Sequence, residues 1–202
     1  LQIPRGKVTG GTSAINGQVF LRGDPQDYDS WAAAGNDEWS FQKLLNYFRK
    51  IETDMDFGGS DFHNTDGPIV CRRFPESEWL PAQQAFYTAA RGAGHADCPD
   101  FNHPEVQGVG PVPLNNPNGI RMSTALGYLN LARHRLNLTI KPNCTVHRLI
   151  FEGNRAVAVL VESGGEIFTV EADEIVLSAG VIGSAHILML SGVGPADQLR
   201  DF

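Results

Sequence analysis

The chain has 202 residues, of which 42% are hydrophobic and 19% charged, enough apolar material to bury a core and to argue against disorder. Its net charge of −7 comes from acidic residues spread along the chain, so no basic patch invites a nucleic-acid backbone and no DNA or RNA partner is expected. The longest apolar runs, such as Ile187 to Leu190 and Ala156 to Val161, fall far short of the roughly 18 residues that a membrane span needs, so none is expected.

Arg5 to Gly17 is rich in glycine and small residues and reads as a loop. It passes through Val19-Phe20-Leu21 and the turn-forming Gly23-Asp24-Pro25 and opens into a short helix. A second helix is expected from Ser40, as N-cap, through Leu44, Leu45, Phe48 and Ile51, whose spacing makes one apolar face. Asp54 to Asp66 is polar and reads as an exposed loop before a strand at Ile69 to Phe74. Leu80 to Gly92 has helical spacing, with Pro81 tolerated in the first turn. Gly94 to Ile120 is rich in Gly, Pro and Asn and reads as a long ordered connection, over the surface or across a pocket.

Ser123 is placed to cap a short helix carrying Leu126, Tyr128 and Leu129. Beyond it the pattern turns to strands at Leu138 to Ile140, Thr145 to Phe151, Ala156 to Glu162, Ile167 to Val170 and Glu174 to Leu177, with hairpins at Gly153-Asn154 and Gly164-Gly165. Ile175-Val176-Leu177 then runs through Ser178-Ala179-Gly180 into a helix from about Ser184 to Leu190, the strand, tight turn and helix of a nucleotide-binding fold. The opening Leu1-Gln2-Ile3-Pro4 and the helix that begins after Gly194-Pro195 do not read as natural termini.

Cys71, Cys98 and Cys144 lie far apart without metal spacing and are expected as buried free thiols, which suits a reducing compartment. Two sequons, Asn137-Leu138-Thr139 and Asn143-Cys144-Thr145, favour secretion weakly because both overlap expected strands, so the reading leans to the cytoplasm with secretion as the alternative.

Two segments carry chemistry. In Gly6-Lys7-Val8-Thr9-Gly10-Gly11-Thr12-Ser13-Ala14-Ile15-Asn16 the glycine pair lets backbone N–H groups approach an anion or a ring edge. Thr12 and Ser13 add hydroxyls, and Arg5 and Lys7 add positive charge. Such a loop can hold a diphosphate, although it lacks the order of a P-loop, and the same residues also suit a plain tight turn. The second segment is Gly180-Val181-Ile182-Gly183-Ser184-Ala185-His186-Ile187-Leu188-Met189-Leu190-Ser191-Gly192-Val193-Gly194.

Gly6 through Asp29 resembles, nearly position by position, the first signature of the glucose-methanol-choline (GMC) oxidoreductases, and Gly180 to Gly194 resembles the second. Thr9 stands where an aliphatic residue is usual, Ala185 where proline or serine is usual and Val181 where a smaller residue is usual. The resemblance implies an α/β fold, α+β in its substrate part, made of a partial FAD/NAD(P)-binding Rossmann-like domain and part of a substrate-binding domain. It divides the chain into a flavin attachment loop and start of the lid over 1–30, a lid helix with part of the substrate-binding domain over 31–135, and part of the FAD-binding domain over 136–202.

By the same resemblance, Gly10, Gly11, Thr12, Asn16 and Gly17 lie along FAD, the backbone of Val146 meets the adenine, and Ala179 and Gly180 end a strand at the cofactor edge. Asn16 either donates to the flavin edge or substrate oxygen, or simply braces its turn. Ile15 stands where some members carry the histidine that attaches the flavin covalently, so a non-covalent FAD is implied. The implied reaction is oxidation of a small alcohol, with hydride passing to flavin. None of His63, His95, His103, His134, His147 or His186 lies in a segment matching the family's C-terminal histidine motif, and the N-terminal G-x-G-x-x-G turn is absent. No catalytic residue is therefore assigned here, and the remaining segments of the same enzyme are the expected partners. Flavin-binding without redox chemistry, as in hydroxynitrile lyases, and a non-catalytic fragment are the alternatives. Arg22-Gly23-Asp24 falls inside the first signature, which argues against an adhesion motif.

Overall fold

Asp24 and Pro25 do more than turn the chain: they start helix α1 (Pro25–Ala33), with Asp24 as N-cap accepting from the Gln26 N–H at 2.9 Å and Pro25 in the first turn. Helix α2 (Phe41–Ile51) follows where the apolar spacing placed it, burying Phe41 and Leu45. Its cap differs from the expectation. The Ser40 side chain makes no capping bond, and Asp29 of α1 instead accepts from the Phe41 N–H at 3.0 Å. An aromatic cluster of Tyr28, Trp31, Trp39, Phe41 and Phe48 joins the two helices.

The computed structural model describes residues 2–200, and the chain divides between Leu138 and Thr139 into two compact units. In the first unit α2 runs directly into β1 (Glu52–Asp54), which pairs in parallel with β2 (Ile69–Cys71). Sequence patterning missed β1, because its inward positions are acidic rather than apolar. The strand expected over Ile69 to Phe74 stops at Cys71: Arg72 leaves β1 and makes an antiparallel rung with Leu114. The stretch from Asp54 to Asp66 is also corrected. It is a loop, but His63 within it is buried, at 1% exposure.

Helix α3 (Pro81–Gly92) forms as expected. The long connection is ordered through isolated rungs, Asp97 with Val109 and Leu114 with both Arg72 and Val19. Ser123 does not cap through its side chain; its carbonyl accepts from the N–H groups of Leu126 and Gly127. The residues beyond it form a π-helical turn, Ala125–Leu129, that continues into the short α4 (Asn130–Ala132). Gly127 is required there, because a Cβ would lie 2.5 Å from Ile69 Cδ1 and 2.9 Å from the Pro68 carbonyl.

The second unit is an antiparallel meander, β3 (Thr145–Glu152), β4 (Arg155–Ser163) and β5 (Glu166–Glu171), with the two glycine hairpins in the expected places. Helix α5 (Gly180–Leu190) starts one turn earlier than expected and packs on β3, and α6 (Ala196–Leu199) follows. Ser191 joins α5 to the sheet, accepting from the Leu149 N–H at 2.8 Å and donating to the Ile187 carbonyl at 2.5 Å. Two expected strands are absent among the described residues. Leu138 to Ile140 and Glu174 to Leu177 lie next to no strand that could complete a ladder, and a strand exists only with a partner. Asn137 and Asn143 consequently sit outside strands, exposed, with Asn143 at φ 52°. Cys71 and Cys98 are buried free thiols and Cys144 is half-buried. No helix among the described residues is long and apolar enough to cross a membrane.

Candidate functional site

The glycine pair forms a left-handed turn, with Gly10 at φ 94° and Gly11 at φ 57°, that leads into a 3-10 turn over Gly11–Ala14. Its inner side is closed. A Cβ on Gly10 would lie 3.1 Å from the Ala125 Cβ, and one on Gly6 would lie 2.2 Å from the Gly11 carbonyl oxygen. Its outer side is open: a Cβ on Gly11 or on Gly17 would meet nothing within 4 Å. A flat ring edge or a diphosphate fits that bare backbone face, which is the requirement the implied cofactor makes of these residues.

Side chains hold the turn in this shape. Ser13 Oγ donates to the Gly10 carbonyl at 2.5 Å and accepts from the Thr124 N–H at 3.0 Å, while Thr124 Oγ1 donates to the same carbonyl at 3.2 Å. Thr12 Oγ1 accepts from the Gly6 N–H at 3.2 Å. Asn16 does brace its turn, its Oδ1 accepting from the Gln18 N–H at 3.1 Å and from Arg121 Nη1 at 2.9 Å. With that oxygen engaged, the Asn16 Nδ2 is the group left to donate outward, since among the described residues it has no acceptor. Arg5 and Lys7 are both exposed beside the turn. The structure thus brings Gly10, Gly11, Thr12, Asn16 and Gly17 together on one loop.

The other three candidates lie in the second unit. Val146 pairs with Val161 across β3 and β4, next to a register shift, and is partly exposed. Ala179 caps α5, its N–H given to Ser184 Oγ at 3.1 Å, and Gly180 takes φ 83° with nothing within 4 Å of an added Cβ. A short, open turn therefore delivers the chain into α5. His147 pairs with Glu162 at 3.0 Å across the hairpin, and His186 is exposed on α5.

Sequence reading did not find the most heavily charged place in the first unit. Alternation along β1 turns Glu52 and Asp54 to the same inward face, 0% and 2% exposed. His63 lies between them and Asp100: its Nδ1 is 2.9 Å from Glu52 Oε1 and 3.1 Å from Asp54 Oδ2, and its Nε2 is 2.9 Å from Asp100 Oδ2. Arg73 forks onto Asp54, 3.0 Å to each oxygen, and reaches Asp100 Oδ1 at 2.6 Å. Arg22, from the first signature, pairs with Glu52. The cluster is bonded onward to Asn102, which accepts from the Arg22 N–H at 2.9 Å and donates to the Phe20 carbonyl at 3.0 Å.

Burial alone would lower the basicity of His63, but its hydrogen bonds to Asp100, Asp54 and Glu52 outweigh that and raise its pKa to about 10. For Asp54 and Asp100 burial pushes upward, yet the bonds from His63 and from backbone N–H groups, with the Arg73 charge, hold both below the usual carboxylate range. Burial pushes the Cys71 thiol up, helped by Asp54 and Glu52, so it is inert as a nucleophile. The only forewarning in the sequence was a set of charged residues at spacings that belong to no apolar pattern. Thr124 and Arg121 hold the glycine segment from more than a hundred residues away, and although Arg121-Met122-Ser123 also resembles the family, nothing local linked either residue to that segment.

Residues 1–200 match the family model described as GMC oxidoreductase. The chain is 43% identical over 199 residues to an uncharacterised GMC-type oxidoreductase of Rhodococcus erythropolis, covering 98% of this chain and 39% of that protein. It is 39% identical over 201 residues to an oxygen-dependent choline dehydrogenase of Photobacterium profundum, covering 99% of this chain and 35% of that protein. Among solved structures it resembles pyridoxine 4-oxidase from Mesorbium loti with a TM-score of 0.91 at 36% identity, covering 97% of this chain and 38% of the oxidase. A fungal aryl-alcohol oxidase superposes with a TM-score of 0.88 at 26% identity, covering 98% of this chain and 36% of that one. The chain therefore spans little more than a third of the length of the relatives it matches.

Proposed function

The chain belongs to the GMC oxidoreductase family, and on that premise we propose that it is the part of an FAD-dependent oxidoreductase that helps hold the flavin while a small alcohol is oxidised at its CH–OH carbon. The observation that carries this is the turn at Gly10 and Gly11, closed on its inner side by Ala125 and Thr124 and open on its outer side to a ligand. FAD, when bound, supplies the ring that accepts the hydride. Everything else falls to the protein. The bare backbone of Gly10, Gly11 and Gly17 and the Thr12 hydroxyl receive the cofactor, and Asn16 offers its Nδ2 as donor to the ring edge or to substrate oxygen. The backbone of Val146 meets the adenine, and Ala179 with Gly180 allows close approach at the start of α5.

In this reading 1–30 is the attachment loop and start of the lid, 31–135 the lid helix and part of the substrate-binding domain, and 136–202 part of the FAD-binding domain. Ile15 carries no nucleophile to bond the flavin, so the cofactor is held without a covalent link. The proton of the alcohol is taken by a base outside these residues, because His63 has both nitrogens engaged by carboxylates and the other histidines lie in no matching motif. The remaining segments of the enzyme supply that base and cover the apolar surface of α5.

The test is made on the whole protein. A flavin absorption spectrum that bleaches anaerobically on adding primary or secondary alcohols, with FAD released intact by acid precipitation, is the expected result. A spectrum unchanged by alcohols but accompanied by cyanohydrin cleavage would replace the redox reading by a lyase, and a protein without flavin would leave a scaffold.

A further inference from the structure

Glu52, Asp54 and His63 offer one ligand atom each within 4.8 Å of one another, a set whose chemistry suits a divalent cation. The rest of the cluster argues otherwise. Three buried carboxylates, Glu52, Asp54 and Asp100, face two buried guanidinium groups: Arg22 pairs with Glu52, and Arg73 with Asp54 and Asp100, while Asp56, also on Arg73, stays 35% exposed and keeps its charge in contact with water. With a neutral imidazole the cluster would carry one uncompensated negative charge in the interior; a divalent metal would leave it one charge positive. A single proton closes the balance. Buried ions persist only when paired and hydrogen-bonded, so this balance selects among the states.

Geometry points the same way. The two oxygens that face His63 Nδ1, Glu52 Oε1 and Asp54 Oδ2, each already accept from a guanidinium, Arg22 and Arg73, so a metal cation between them would sit against two positive charges, whereas an imidazolium N–H needs only the hydrogen-bond distances that both ring nitrogens show, 2.9 Å to Glu52 and 2.9 Å to Asp100. The Phe57 ring flanks both His63 and the Arg73 guanidinium, screening them from water. Glu52 and Asp54 from β1 and Asp100 from the long connection face the His63 ring, and Arg49 of α2 donates from Nε to its carbonyl at 3.0 Å; around these carboxylates stand Cys71 from β2, Asp56 and Arg73 beside the strand pair, Cys98 from the long connection and Arg22 from the signature segment.

We propose that His63 is a buried structural imidazolium, standing where a metal ion could have stood, and that its proton locks the loop over 54–66 and the long connection onto β1 and the Arg22 segment. The lock opens only in alkali. Its raised pKa fits this: the stabilisation is fully present below the ordinary value of 6.5 and is lost as pH rises through about 10. The inference is independent of the flavin reading.

The first test is NMR of the whole protein labelled with ring-15N histidine at about pH 8, where ordinary histidines are neutral. One imidazolium with two slowly exchanging N–H protons is expected; its absence overturns the proposal even if no variant folds. In His63→Gln that signal vanishes. The thermal midpoint of the wild type, which falls between about pH 7 and about pH 10, loses most of that dependence in the variant; parallel curves overturn the idea. Metal analysis gives the opposing outcome. Stoichiometric zinc or manganese, removed by EDTA with a drop in the midpoint and missing from His63→Gln, would make this a metal site instead, whereas a midpoint unmoved by EDTA supports the imidazolium.

Discussion

At the scale of single residues, the glycines of the first segment separate two effects that sequence alone merges. At Gly6 an added methyl runs into the Gly11 backbone, which has nowhere to go, so Gly6→Ala should disrupt the turn and unfold the first unit at a lower denaturant midpoint. At Gly11 the methyl points into open space, and the main structural penalty is the left-handed backbone, about 1–2 kcal/mol. Gly11→Ala should therefore fold and carry less flavin, read as the ratio of flavin to protein absorbance. Acid exposes a different set of residues. Asp54 and Asp100 are held below the ordinary carboxylate value of 3.8, so their contribution is present above that pH and lost as pH falls beneath it. A thermal midpoint that drops steeply below about pH 4, less so in Asp100→Asn, is the expected outcome.

At the scale of elements, the helix pattern was legible because apolar positions in α2 and α3 recur at helical spacing, and the hairpins were legible because glycine pairs punctuate alternating strands. What failed were the assignments that depend on a neighbour. Ser40 was the obvious cap of α2, yet Asp29 performs the bonding from the helix packed beside it. Asp29→Ala should cost about 0.5–2 kcal/mol and Ser40→Ala clearly less, measured by urea unfolding. The strand expected at Glu174 to Leu177 has the right residues and no adjacent strand among those described. Ser191 is the corresponding case in the second unit: it satisfies a strand N–H from the end of a helix. Ser191→Ala leaves the Leu149 N–H without that partner, for an expected loss of about 1–3 kcal/mol.

At the scale of the whole molecule, apolar residues stand on every side of α5, with Ser184 and His186 its polar members, from Val181 at 83% exposure through Ile182 to Leu190, and Val176 before it is 80% exposed. A helix apolar all round belongs in an interior. If the longer polypeptide covers it, as the proposed partnership of segments requires, backbone amides over 181–190 should exchange with solvent far more slowly in the whole protein than in this chain expressed alone. The isolated chain should also bind a hydrophobic dye that the whole protein does not. Equal exchange in both would remove that partnership.

From the sequence came the family, through two glycine-containing signatures in the right order, the α/β class, and the helices and hairpins whose periodicities are local properties of the chain. Only the tertiary structure decided what closes the glycine turn, since Thr124 and Arg121 reach it across more than a hundred residues, and that Asn16 spends its oxygen on bracing. It also turned His63 from a loop residue into the centre of a buried ionic cluster. The physical reason is the same in each case. Spacing along a chain reports which face a residue shares with its neighbours, while the balance of buried charge and the satisfaction of hydrogen bonds depend on groups that only folding brings together.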